Sequence, residues 1–421
     1  MRVLLATYAE RSHFRAMVPL GQALVAAGHE VRVASQPALA GAITGTGLTA
    51  VTVGRDHDAA RILRARPELA VLAGAANLPP FDLVDRPLEE VTWEAVSSGY
   101  AKVVPWWFRV ASESMIDELV EFCRAWRPDL VLWEPTTFAA PLAATVVGAA
   151  HARLPWSMDL FGAMREHFVR LRDERAEGKR RDLLAEWLGR WAGRYGVAFD
   201  EVMTCGHVTI DQLPAEVRLP TELRCLPMRY VPYNGAAVVP RWLREPPGRP
   251  RVCLTLGTSA TQVFGGYRLD IEELVTALSG LDVEVVAAVP GAGSGGWRVP
   301  GNVRVVDFVP LHVLAGTCAV VVHHGGWGSA CTSGVNGVPQ LVLAEQFDGP
   351  PLARRLVAQG GALALEEGRV SGVGVAEGVV RLLEDPGFGR GAARLRERML
   401  AMPAPAEVVP ALEQLAAEHR S

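Results

Sequence analysis

Short apolar runs alternate with helix-length amphipathic segments along most of the chain. Residues 2 to 6 read as a buried strand. Ser12 stands in a capping position before a run with Met17, Leu20 and Leu24 on one helical face. Gly28 stops that helix, and Glu30 to Ala34 resumes as a strand. This strand-helix-strand unit is the seed of a parallel sheet. Asp129 to Trp133 after Pro128, and His151 to Pro155, read as further strands of the same sheet. Asp182 to Tyr195 places Leu184, Trp187, Leu188 and Trp191 at helical spacing, the pattern of a domain-packing helix or, less simply, of a partner-binding face.

Proline then concentrates at positions 227, 232, 240, 246, 247 and 250, with Asn234-Gly235 as a turn, as an interdomain linker would. The alternation restarts at Arg251. Val252 to Leu256, Val283 to Val289, Val303 to Val306, Ala319 to Val322 and Gln340 to Leu343 read as five strands separated by helix-length segments. The fold class is therefore α/β, with two doubly wound Rossmann-like domains facing across a cleft. The expected boundaries are 1–225 for the first domain, 226–250 for the linker and 251–395 for the second.

With 421 residues there is chain enough for two cores. A net charge of -4 argues against nucleic acid as the partner. No apolar run reaches the roughly 18 residues that span a bilayer, and the chain enters its first strand at once, with no cleavable signal pattern. The six cysteines are scattered without a C-x-x-C pair. That argues against a structural zinc site or a disulfide framework and for reduced thiols in a cytoplasmic protein.

The run His323-His324-Gly325-Gly326-Trp327-Gly328-Ser329 follows directly on an apolar strand. It reads as a glycine-rich turn opening a helix, whose leading amides and dipole can hold a diphosphate. The plainer reading is a tight turn in which the glycines serve the backbone alone; two adjacent histidines add nothing to such a turn. His13, beyond the first strand, lies at the carboxyl edge of its sheet, where open parallel sheets bind ligands. A neutral imidazole there suits removal of a hydroxyl proton, although a lone histidine is often a capping or surface residue. Leu254 to Ser259 ends another strand in a hydroxyl-rich turn that can contact phosphate, or cap a helix.

Two attractive patterns are set aside. Gly291 to Gly296 fits G-x-G-x-x-G, but Trp297 to Asn302 cannot open a helix, so a flexible loop is expected. Asp56-His57-Asp58 could chelate a divalent metal but reads more simply as a solvated loop. The aromatics Trp93, Tyr100, Trp106, Trp107 and Phe108 suit either an apolar acceptor pocket or ordinary core.

Ser12-His13-Phe14, Leu24 to Val31, the linker Met228 to Gly235, the Leu254 to Ser259 turn and His323 to Ser329 together resemble the natural-product glycosyltransferases of actinomycetes. Within that group the chain most resembles enzymes that attach deoxysugars to macrolide or aromatic polyketide antibiotics. The resemblance spans essentially the whole chain. It implies a GT-B fold with an N-terminal acceptor domain, a C-terminal nucleotide-sugar domain and a last helix, within 396–421, crossing back to the first. It further implies that His13 is the catalytic base and that the backbone around Val309 reads thymine. Thr258 or Ser259 would touch phosphate. His324, Gly325, Gly326, Gly328 and Ser329 would cradle the diphosphate, and Asp348 would contact the sugar.

The expected reaction is a single inverting displacement from a TDP-sugar, without cofactor or metal, since oriented amides at a helix end can neutralise the leaving diphosphate. Glu134 is the carboxylate expected to orient His13. Gly349 replaces the glutamine many relatives carry beside the aspartate, which removes hydrogen-bonding groups and fits a sugar short of hydroxyls. Trp327 is bulkier than the usual small residue, and either covers the diphosphate or packs. The subfamily likeness also raises a P450-like auxiliary protein lacking its haem ligand as a partner, and a homodimer. The competing readings are a nucleotide-sugar epimerase on the same architecture, a catalytically silent nucleotide-sugar-binding partner of another transferase, and, least favoured after the Gly291 motif fails, a nicotinamide-dependent dehydrogenase.

Overall fold

The computed structural model describes residues 1–57, 78–257, 269–291, 298–344, 347–366 and 368–419. Two all-parallel sheets organise the chain. The first has the order β3-β2-β1-β4-β5-β6-β7, formed by Arg2–Ala6 (β1), Glu30–Ser35 (β2), Thr49–Thr52 (β3), Leu130–Trp133 (β4), Ala150–Arg153 (β5), Val208–Asp211 (β6) and Cys225–Pro227 (β7). The second has the order β10-β9-β8-β11-β12-β13, from Arg251–Thr255 (β8), Glu284–Ala288 (β9), Val303–Val306 (β10), Val320–His323 (β11), Gln340–Ala344 (β12) and Ala362–Glu366 (β13).

In both sheets the order of strand addition reverses beside the first strand, between β1 and β4 and between β8 and β11. Such switch points leave a crevice at the carboxyl ends of the strands. The pairings Ala6 with Trp133 and Thr255 with His323 set the two ends level. β4, β8 and β11 are buried along their whole length, which is why they read as unbroken apolar runs rather than alternating ones.

The structure departs from the sequence reading at several elements. β3 and β13 have one or no fully buried residue, and β13 is Ala-Leu-Ala-Leu-Glu, without the β-branched residues that signal a strand. β6 and β7 were also hidden, being four and three residues long. Ser12 is not the cap of the first helix, Arg11–Ala26. Glu10 is, its carboxylate accepting from the Ser12 amide. The helix at Leu183–Arg194 buries Leu184, Trp187 and Leu188 as the spacing requires.

Apolar clusters pack both faces of each sheet. One is continuous across the two halves, joining Leu213, Val217 and Leu219 to Ala330, Cys331, Leu352 and Leu395. Asp85 pairs with Arg354 and Arg355 at 2.8 and 3.0 Å along the same boundary. The helix Pro386–Ala401 packs on Trp327–Asn336, its Met399 sulfur tight against Gly334. The chain then breaks at Met402 to Ala404, and the helix Pro405–Glu418 lies on Arg11–Ala26. Its Val408, Val409, Leu412 and Leu415 complete the core of the first sheet. The second half of the chain is thereby clamped to the first.

Candidate active site

His13, in the first turn of the helix Arg11–Ala26 that follows β1, and Glu134, one residue after β4, stand beyond the two strands that flank the first switch point. His13 is 4% exposed and Glu134 fully buried. Nδ1 of His13 lies 3.2 Å from Oε2 of Glu134, close enough for charge attraction though off the best hydrogen-bond angle. The carboxylate is held from every side. It accepts from the Thr136 amide at 3.1 Å, the Thr136 hydroxyl at 2.8 Å, the Thr137 hydroxyl, and the Trp156 indole N–H at 3.0 Å. Burial alone would push its pKa up. His13 and the two threonine hydroxyls outweigh that and hold it below the usual range, so it is an anion.

Trp156 also stacks on the His13 ring, 3.7 Å between centroids and 16° from parallel, while Tyr8 meets His13 edge-on at 5.0 Å. Burial, with Glu10 and Glu134 nearby, pushes the Tyr8 phenol well up, so it stays neutral beside the histidine. Sequence reasoning missed both aromatics. Trp156 follows β5 by three residues, and that position at a strand's carboxyl edge was the available signal.

At the second switch point the two histidines part roles. His323 is fully buried, and its ring contacts Gln340 Oε1 at 2.9 Å through Nε2 and accepts from the Gly325 amide at 3.1 Å through Nδ1. It serves the turn, contrary to the expectation that a histidine adds nothing there: the carboxyl end of a buried strand needs polar partners for its bending backbone. His324 is half-buried, its ring wedged between Gly257 and Gly326, where a Cβ would fall 2.5 and 2.4 Å from ring atoms. Burial lowers both imidazoles to about 4, aided for His323 by the His324 charge and opposed for His324 by the Thr255 backbone. Both are neutral at pH 7.

Gly325 adopts φ of +91°, a region open to glycine, and passes so near Gly349 that a Cβ would meet its Cα at 3.1 Å. Gly326 caps the helix Trp327–Asn336, whose leading amides at Trp327 and Gly328 precede the first turn, while the Ser329 amide already donates to the Gly326 carbonyl at 3.1 Å. Trp327 turns inward and packs edge-on against Tyr230 at 4.9 Å, and the Tyr230 hydroxyl donates to the Gly328 carbonyl at 3.3 Å. It packs and ties the turn to the linker, rather than covering the crevice.

Val309 is buried in the loop between β10 and the short helix Leu311–Ala315. Asp348 caps the helix Gly349–Ala358 with its Oδ2 buried and without a partner. Burial pushes its carboxyl up to about 7, against hydrogen bonds from its own backbone and from that of Met158 across the cleft. An unsatisfied oxygen of this kind is costly unless a ligand meets it. Thr258 and Ser259 lie outside the described residues, as do Asp58 and most of the Gly291 loop. Asp56 accepts from the Ala38 amide at 2.7 Å, and His57 packs on Tyr8. Among the described residues no group of three His, Cys, Asp or Glu side chains is placed to hold a metal ion.

Residues 22–257 match the N-terminal domain, and residues 272–415 the C-terminal domain, of the family described as erythromycin biosynthesis protein CIII-like. The 10-deoxymethynolide desosaminyltransferase of Streptomyces venezuelae is 46% identical over 422 residues, covering 100% of this chain and 98% of that protein. The aclacinomycin-T 2-deoxy-L-fucose transferase of Streptomyces galilaeus is 44% identical over 100% of this chain and 97% of its own. Among solved structures, the glycosyltransferase VinC in complex with dTDP has a TM-score of 0.89 at 37% identity, covering 99% of this chain and 100% of that one.

Proposed function

The chain belongs to the erythromycin biosynthesis protein CIII-like family of glycosyltransferases, and from that premise we propose that it moves a deoxysugar from a TDP-sugar to a hydroxyl of a polyketide antibiotic aglycone, with inversion, using His13 as base. The observation that carries the catalytic part is the approach of His13 Nδ1 to a buried, ionised Glu134 at 3.2 Å. An anion there favours the tautomer with the proton on Nδ1 and leaves Nε2 to accept one.

The acceptor O–H proton passes to Nε2 as the oxygen bonds to the anomeric carbon. The bond from that carbon to the diphosphate breaks in the same step, releasing TDP. Glu134 then faces an imidazolium and stabilises it. Tyr8 and Trp156, neutral and apolar around the ring, keep water from competing for the proton.

On the donor side, the amides of Gly326 and Gly328 and the hydroxyl of Ser329, with Gly325 giving the backbone room to approach, meet the charge that develops on the leaving diphosphate. His324, neutral, contributes a ring N–H rather than a charge. Thr258 or Ser259 contacts phosphate, the backbone at Val309 reads the base, and the unpartnered oxygen of Asp348 takes a donor from the sugar. In this reading helix-end amides do what a divalent metal does elsewhere, and the reaction runs without one.

The same reading sets the enzyme in the cytoplasm, as a homodimer with a P450-like companion. No helix among the described residues is long and apolar enough to cross a membrane. Adding the purified companion should raise turnover or thermal stability, and no change in either removes it from the account. Calorimetric titration with TDP, UDP and NAD in excess chelator tests the donor assignment. TDP-selective binding is expected, and binding of NAD alone, or of diphosphates only with metal, overturns it.

A further inference from the structure

The aromatic rings around Trp156 bear on what the acceptor is. Phe347, from the C-terminal half, sets its ring among four rings of the N-terminal half. It lies 23° from parallel to Trp156 at 5.8 Å, and meets Phe81, Trp107 and Phe161 at 5.7, 5.6 and 5.9 Å with interplanar angles of 78°, 67° and 49°. Trp156 is the same ring that stacks on His13. The cup is therefore one residue away from the proposed base.

Two features separate this cluster from ordinary core. Phe347, Trp107 and Trp156 are half-buried and form the rim of the cluster over a buried floor of Phe81 and Phe161, whereas core aromatics such as Phe108 and Phe168 are sealed and have no such rim. Phe347 also sits at φ of +49°, one of two non-glycine residues among those described with positive φ, and a conformation that a bulky side chain adopts only when its surroundings hold it there. It directly precedes Asp348, whose Oδ2 lacks a partner. A strained residue of the C-terminal half fills an aromatic cup in the N-terminal half.

We propose that Phe347 occupies the acceptor's seat in the ligand-free enzyme, and that the acceptor is a planar aromatic polyketide whose ring takes its place against Trp156, Trp107 and Phe81, with its reacting hydroxyl at His13. This rests on the transferase reading above. Ring faces and edges complement another ring through their quadrupoles, in offset-stacked and edge-on contacts at the separations seen for Phe347. A puckered, methyl-bearing macrolactone offers no flat face to them. Withdrawal of Phe347 on binding also frees its backbone from the left-handed region.

Equilibrium dialysis of the enzyme saturated with TDP, against a tetracyclic anthraquinone aglycone and against a 14-membered macrolactone, tests this. The anthraquinone is expected to bind at least tenfold tighter. Phe347→Ala should tighten its binding about threefold or more, because nothing has to be displaced, with TDP affinity unchanged. Phe347→Leu, smaller and without the ring contacts that hold Phe347 in the cup, competes less well for the seat and should shift binding the same way if the alanine variant does not fold. Trp156→Leu should weaken it about tenfold. Equal or tighter macrolactone binding, no aglycone binding with TDP binding intact, or an anthraquinone Kd unmoved in both Phe347 variants would each overturn the proposal and leave the transferase reading standing. Loss of TDP binding by the native enzyme would instead remove that reading.

Discussion

Trp156 lies parallel to the imidazole of His13 at 3.7 Å and at the same time gives its indole N–H to Glu134 at 3.0 Å. One side chain thus fixes the plane of the histidine and one lone pair of the carboxylate that faces it. Trp156→Phe keeps a ring to stack and deletes the hydrogen bond. With a bond to a charged group worth about 1.5–3 kcal/mol, kcat should fall roughly tenfold or more while KM for the nucleotide sugar holds.

Glu134→Gln keeps the shape and removes the charge that an imidazolium needs. A fall in kcat of about 10²-fold or more is expected, the range of general-base contributions, with TDP affinity unchanged. The variant also has a signature in stability. Because the folded pKa of Glu134 is depressed, its contribution is present at neutral pH and is lost as pH falls through the folded value. Chemical denaturation from pH 7 down to pH 3 should show a shallower acid loss in Glu134→Gln than in the native enzyme.

Asp348 has the opposite sign. Its carboxyl is raised to about 7, so between the ordinary carboxylate range and pH 7 the folded state binds the extra proton, and stability falls as pH rises. Asp348→Asn should be more stable than the native enzyme at pH 8 by roughly 2–4 kcal/mol, and little different at pH 4. In exchange it should lose affinity for the TDP-sugar but not for TDP, which paired titrations separate.

His323 and His324 are adjacent yet should respond differently. His323→Ala strips partners from Gln340 and the Gly325 amide and should cost about 1–3 kcal/mol in denaturant unfolding. His324→Ala should leave stability nearly unchanged and weaken TDP binding about tenfold. Both rings are held neutral to about pH 4, so each takes stability away as pH drops from 6.5 towards 4, a loss that Asp348 partly offsets in the native enzyme and that denaturation of Asp348→Asn should show in full.

What the chain revealed in advance follows from where its physics is local. Central strands such as Val320–His323 are apolar on both faces, and β8, β9, β11 and β12 stood out for that reason, while the edge strand β10 was legible from its three valines. The edge strand Ala362–Glu366 did not, because alanine and leucine in alternation carry no strand preference and its partner across the sheet does the pairing. His13 and His324 were singled out by motif and position, Asp348 by the family resemblance alone, and Glu134 by its place after a strand. Trp156 and Phe347 were not. Their significance lies in ring planes that meet from segments nearly two hundred residues apart, and no periodicity encodes that. His323 was misjudged because burial, not sequence, decides whether a histidine faces a ligand or the backbone.

The most direct measurement is the product balance with a TDP-deoxysugar and an aromatic aglycone in excess chelator, for the native enzyme and for His13→Ala. The account predicts glycoside and TDP in equal amounts from the native enzyme, the glycosidic linkage inverted, and a rate reduced about 10²–10⁴-fold in His13→Ala with TDP binding intact. Retained configuration, activity that vanishes with chelator, or a His13→Ala variant as fast as the native enzyme would contradict it.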